Sequence, residues 1–243
     1  MEQYTHREFE SFMKSMKKMS DVLRSEDPDY IFAPVIGSVP LVDILFITDR
    51  HFQLDHVEYP PNSSRFSNRE ELMQRWYDNF LTQNYHGEKM SIMCIDEVIS
   101  GSSASKGYIE FLKALDKFGK KEEEYFGKKI KYKILGIGER PKNYKRNRNF
   151  TKLVNKKIAK VFETDRIITA DNIALNPVRL GVEGLNGAGR NKYLPQIHAL
   201  HFSQDYLNLL YNSAVYCGTD PDKVSLVNAL KISGSLEKYL GTD

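Results

Sequence analysis

The sequence predicts an α/β protein built on a mostly parallel sheet. Strand-like and helical segments alternate along most of the chain, the order expected of such a sheet. Two of those segments, "YIFAPVIGSVPLVDILFI" and "SIMCIDEVISGSSASKG", read as strand, tight loop and helix. With 243 residues and 41% hydrophobic composition, one large domain with its own core is easily supplied.

Taken in order, Phe9, Phe12, Met13, Met16 and Leu23 fall on one face of a first helix, which ends where Pro28 disfavours helical geometry for Asp27. "YIFAPVIG" is a short β-rich run, and "SVPLVDILFI" is a helix with Ser38 as N-cap and Pro40 in its first turn. "FQLDHVEY" alternates like an exposed strand, and "PPNSSRFSN" is a loop within the expected mobile element, residues 60–69. Leu72, Trp76 and Phe80 then share a helix face. Tyr108, Phe111, Leu112, Leu115 and Phe118 mark another helix, broken by "KKEEEYFGKK" before the strand-like "IKYKILGIG". "ERPKNYKRNRNF" reads as a basic loop and "IAKVFETDRIITAD" as one or two strands ending at Asp171. "GVEGLNGAGRN" is glycine-rich and irregular, whereas "SQDYLNLLYNSAVY" and "DPDKVSLVNALKISGSLEKYL" are helical, the second capped by Asp220 ahead of Pro221. The expected organisation is a domain over 1–200, its N-terminal helix included, and a helical appendage over 201–243.

Charge and cysteines narrow the field. A net charge of +3, from 35 basic and 32 acidic residues, is too balanced to argue for nucleic acid. The basic run Lys142, Lys145, Arg146 and Arg148, interleaved with Tyr144 and Phe150, reads as a solvated loop, so nucleic acid is not an expected partner. Cys94 and Cys217 make neither a disulfide framework nor a CxxC pair and are expected as buried, reduced thiols. His198 and His201 lack an evident third ligand, and no metal ligand is assigned. No apolar run approaches 18 residues and the N-terminal segment is charged, so the expectation is a cytoplasmic protein with no membrane partner.

The stretch Ser91–Gly107 carries the chemistry. "GSSASKG" does not supply the GxxxxGK[ST] of a Walker loop, nor the GxGxxG of a dinucleotide fingerprint. What remains is an apolar strand, two acids, two apolar residues, and "SGSSAS" at a helix N-terminus whose free N–H groups and dipole favour an anion. Asp96 and Glu97 would repel a phosphate at close range. A sugar diol suits them better, because its hydroxyls are donors to carboxylates, and a divalent cation beside it would offset the charge.

That pattern, "IMCI-DE-VI-SGSSA", resembles the signature of the type I phosphoribosyltransferases. The resemblance implies a mostly parallel sheet with flanking helices, here followed by a C-terminal helical region, and it covers about residues 28–171. It implies that Asp96 and Glu97 hold the ribose hydroxyls of phosphoribosyl pyrophosphate. It implies that Ser100, Gly101, Ser102, Ser103, Ala104 and Ser105 bind the 5-phosphate, and that Gly37, Ser38 and Val39 offer N–H groups to pyrophosphate. Mg is the implied cofactor, and homodimers are common in the family. Arg65 or Arg69 would clamp pyrophosphate, and Asp171, at the end of a strand, reads either as a contact to a base or a metal or as an Asx turn leading into "NIALNP". The pattern departs from the family at Ser100, where purine-salvage members carry an acid, and at "GSSA", where the hydroxyl donors are displaced. Three activities stay open: phosphoribosyl transfer to an unidentified acceptor with release of pyrophosphate; a non-catalytic ribose-phosphate or nucleotide sensor; and a nucleotide- or NAD-directed glycosyl hydrolase or transferase.

Overall fold

A computed structural model describes residues 4–64, 66, 68–121, 129–170, 175, 178–185, 191–200 and 202–220. Strand β1 (Tyr30–Phe32) sits between β2 (Val57–Glu58) and β3 (Met90–Val98), and β4 (Ile130–Glu139) and β5 (Ala159–Thr164) follow on the far side of β3. All four pairings in this five-stranded sheet are parallel. A separate antiparallel pair joins β6 (Val178–Leu185) to β7 (Asn191–Leu200).

Helices cover both faces of the sheet, which is why its central strands are apolar on both sides. On one face lie α1 (His6–Glu26), α2 (Val39–Thr48) and α6 (Gln204–Cys217). On the other lie α3 (Arg69–Asn84), α4 (Ser102–Lys121) and α5 (Arg148–Asn155). Thr5 and Glu8 close a capping box at the start of α1, and Asp27 ends that helix in the left-handed conformation. The whole predicted face of α1 is buried, as are Leu72, Trp76 and Phe80 of α3. Phe32 anchors the second layer, edge-on to both Trp76 (ring centroids 5.1 Å) and Phe80 (4.8 Å).

Several expectations are corrected. "FQLDHVEY" forms a one-turn 3-10 helix at Leu54–His56 and only two strand residues, with Val57 and Tyr59 fully buried. Leu112 is exposed, while the small Ala114 joins the buried side of α4 in its place. The basic "loop" contains α5, because Asn147 accepts hydrogen bonds from the amides of Asn149 and Phe150 and so caps a helix. The glycine-rich stretch supplies strand residues at 181–185 and 191. Helix α6 buries Tyr206, Leu209, Leu210 and Ala214 in the core that α1 and α2 line, and the Tyr206 hydroxyl bonds Asp43 of α2. It is continuous with the main core at this point. Cys94 is buried as expected but Cys217 is exposed. The helix expected after Asp220 lies outside the described residues.

The strand order places one topological switch point. From β1 the chain moves to β2 on one side, then crosses back to β3 on the other. At such a point the connections after β1 and β3 leave in opposite directions, and a crevice opens at the carboxyl ends of the two strands.

Candidate functional site

The two segments singled out in the sequence meet in this crevice. After β1, Ala33 N donates to Glu58 O (2.7 Å) and Val35 N to Pro60 O (3.0 Å), which ties the segment to the β2 side. A turn follows, in which the Val35–Ile36 peptide is cis and Ser38 N donates to Pro34 O (3.2 Å) and Val39 N to Ile36 O (3.3 Å). Of the three residues expected to offer N–H groups, Ser38 and Val39 therefore have theirs engaged by the turn itself. The Gly37 amide is the one the turn leaves unused among the described residues. Ser38 also forgoes the expected capping role. Its hydroxyl reaches across to β3, to Ile95 O (2.8 Å) and Asp96 Oδ1 (3.3 Å).

Asp96 and Glu97 are successive strand residues, so their side chains leave toward opposite faces. Glu97 points to the α1/α2 layer, where Thr169 Oγ1 donates to its carboxylate. A Cβ at Gly37 would stand 2.9 Å from Glu97 Oε2, so glycine leaves that carboxylate in place beside the turn, where a larger residue would make it shift. The acids thus straddle Gly37–Ser38, one on each side.

Asp96 points to the α3/α4 layer and is only 6% exposed. Its Oδ1 accepts from Ser38 and from the Glu97 amide (2.9 Å), whereas Oδ2 is buried with no partner among the described residues. Burial pushes its pKa up to about 7, against the opposing pull of the Glu97 amide, the Ser38 hydroxyl and the nearby Arg69 charge. A carboxyl near half-protonation at neutral pH repels a neighbouring phosphate far less than a full carboxylate would. This answers physically how an acid can share a face with an anion-attracting helix end.

That helix end is α4. Gly101 has φ +70°, and a Cβ there would sit 2.3 Å from the Phe150 ring, so glycine serves both the backbone and the packing. The first helical bond runs from Ser105 N to Gly101 O (3.0 Å), leaving the amides of Ser103 and Ala104 ahead of it without intrahelical acceptors. The Ser105 hydroxyl is turned back to Gly101 O (2.8 Å) as well, so both donors of Ser105 are engaged, while Ala104 is buried and contributes through its amide alone. Ser100 Oγ accepts from Ser102 N (3.3 Å), and the side chains of Ser100, Ser102 and Ser103 keep solvent access.

The segment expected to be mobile is tied to the same helix end. Asn62 Nδ2 donates to Ser103 O (3.0 Å), Arg69 Nε donates to Asn62 Oδ1 (2.9 Å), and Phe66 is buried in the core. Arg69 Nη2 also approaches Ser103 O (3.4 Å). Burial lowers the Arg69 pKa, while the Asp96 charge opposes that shift, so the guanidinium lies within electrostatic reach of the acid. Arg69, one of the two arginines expected to clamp pyrophosphate, is thus held at this helix end by Asn62 and Ser103. Asn62 carried no signal in the sequence, since a polar residue in a Pro/Ser/Asn-rich stretch looks solvated. Arg65 and Asp171 lie outside the described residues.

Among the described residues no three His, Cys, Asp or Glu side chains gather as a metal site, and no helix is long and apolar enough to cross a membrane. Comparison with protein-family models, with curated proteins and with solved structures finds no match for this chain.

Proposed function

We propose that the β1/β3 switch point binds the ribose phosphate of phosphoribosyl pyrophosphate, in the manner of the type I phosphoribosyltransferases that the sequence resembles. The observation that carries this reading is Asp96 Oδ2, a buried carboxylate oxygen without a partner among the described residues, on the side of the sheet where the first-turn amides of α4 have no intrahelical acceptor. A buried polar atom left unsatisfied costs about 1–3 kcal/mol, so its retention calls for a group that satisfies it when bound. A sugar hydroxyl does so by donation, and the phosphate lies on the α4 amides.

Mg fits this donor set. Mg is commonly held by one or two carboxylates plus substrate phosphates rather than by a preformed cage. Asp96, on the α4 side, would supply the carboxylate, and the bound ion would neutralise charge on the departing pyrophosphate. The chain's own part in transfer is to orient the sugar with Asp96 and Glu97 and to receive the leaving group at Gly37. The acceptor is a base or other nucleophile that displaces pyrophosphate from C1.

A second reading, a non-catalytic ribose-phosphate sensor, is favoured by one observation. The segment that would close over a reacting substrate is pinned by Asn62 and Arg69 to Ser103. Calorimetric titration with phosphoribosyl pyrophosphate and Mg tests the site: the Asp96→Asn/Glu97→Gln double variant loses at least tenfold in affinity, and undiminished binding by that variant sinks the proposal. Pyrophosphate release across a panel of nucleobases then separates enzyme from sensor.

A further inference from the structure

Charge in this chain is far from evenly spread. Between Glu139 and Glu163 there are nine basic residues and no acid, so the other 220 residues together carry −6. Arg140 and Lys142, at the start of this stretch, pair with Glu163 and Asp165. Lys145, Arg146, Arg148, Lys152, Lys156 and Lys157 are all exposed, and among the described residues none has a carboxylate within ion-pair distance. An unpaired cluster of this size self-repels, a cost that a polyanion relieves.

Local packing fixes where these cations point. Tyr144 and Phe150 are buried against each other, with ring centroids 5.7 Å apart, and Leu153 and Val154 pack on the same core. The apolar side of α5 is therefore consumed, and Arg148, Lys152 and Lys156 form one outward stripe with about 6 Å of helix between successive members. Phe150 also fills the space beside Gly101, which sets the patch next to the α4 helix end.

We propose that the face formed by residues 145–157 binds the phosphate backbone of a nucleic acid. A membrane surface fits less well, because an interfacial helix needs an apolar face free to insert, and that of α5 is buried. Nor are Tyr144 and Phe150 available as stacking platforms, so recognition is of the backbone rather than of bases. This surface is separate from the ribose-phosphate proposal and survives its failure.

The test is fluorescence anisotropy of a labelled 20-nucleotide RNA and a 20-base-pair DNA at several salt concentrations. Six phosphate contacts give a log–log salt slope of about −4 on single-stranded RNA, near −0.7 per contact. In Arg148→Gln/Lys152→Gln/Lys156→Gln the slope falls by about 2 units and affinity at 50 mM salt drops at least tenfold. Circular dichroism verifies that the variant is folded, and Lys145→Gln/Arg146→Gln, outside α5, gives a smaller loss in the same direction. Phosphoribosyl pyrophosphate binding is unchanged in both. Binding of neither nucleic acid at 50 mM salt, wild-type affinity in the triple variant, or binding to phosphatidylserine vesicles without binding to RNA or DNA would each overturn the proposal.

Discussion

Two buried aspartates stand at opposite ends of the sheet, and the molecule treats them in opposite ways. Asp49 closes α2 at the amino-terminal end, in a cleft of about 240 Å³ that Arg24, His51 and Phe52 help to line. It is 7% exposed, against 6% for Asp96 at the carboxyl end. Burial pushes Asp49 upward, but the Ser20 hydroxyl, the His51 amide and Arg24 outweigh it and hold the carboxyl below its usual range. Asp96 has a donor pair on one oxygen and, among the described residues, nothing on the other, and burial wins. Equal burial with opposite titration teaches that desolvation alone does not mark a site; the mark is a carboxylate the protein could have satisfied and left open.

The contrast can be broken by substitution. Asp49→Ala strips Ser20 and Arg24 of their acceptor and costs about 2–4 kcal/mol in urea unfolding at pH 7. Asp96→Asn goes the other way. It keeps an oxygen for Ser38 and the Glu97 amide and removes the buried charge, so it stabilises the fold at pH 8 by on the order of 1–3 kcal/mol. A wild type whose stability does not fall relative to Asp96→Asn between pH 4 and 7 would contradict this.

The two groups also give opposite pH slopes. The folded pKa of Asp96 lies above its unfolded value, so between about pH 4 and 7 the folded state holds the extra proton and stability falls as pH rises. The folded pKa of Asp49 lies below its unfolded value, so its contribution is present above about pH 4 and is lost as pH falls through the folded pKa. Urea midpoints from pH 3 to 8 read both slopes, and Asp96→Asn removes only the one between 4 and 7.

Smaller effects sharpen the picture around Asp96. Asn62→Ala cuts the tie between the 60–68 segment and Ser103 and costs about 1–2 kcal/mol, with faster amide exchange confined to that segment. Gly37→Ala costs less than about 1 kcal/mol, because the Cβ meets the far end of the Glu97 side chain, which can swing away. Its effect appears in ligand affinity instead.

The sequence was informative where one local rule decided the outcome. Both strand–turn–helix units were legible because an apolar run, a cluster of small residues and a helical period followed in order, and the structure brings them together through the crossing from β2 to β3. Tertiary partners were not legible. Ser38 reads as a cap, but its hydroxyl is drawn to the neighbouring strand, and Arg69 reads as a pyrophosphate clamp with nothing in the sequence to show that Asn62 and Ser103 hold it. The α5 helix was readable in hindsight: Asn147 is a cap residue and Phe150, Leu153 and Val154 follow at helical spacing, a signal masked by the density of lysine and arginine.

The proposal for the switch point rests on a ligand reaching Asp96 Oδ2. Carboxyl-carbon NMR of aspartate-labelled protein follows that group directly, with Asp96→Asn to assign the resonance. The free protein gives a titration near pH 7, and saturating phosphoribosyl pyrophosphate with Mg moves it to lower pH, because a donor or cation on the carboxylate favours its charged form. An Asp96 titration that stays near pH 7 in the presence of bound ligand would contradict the account.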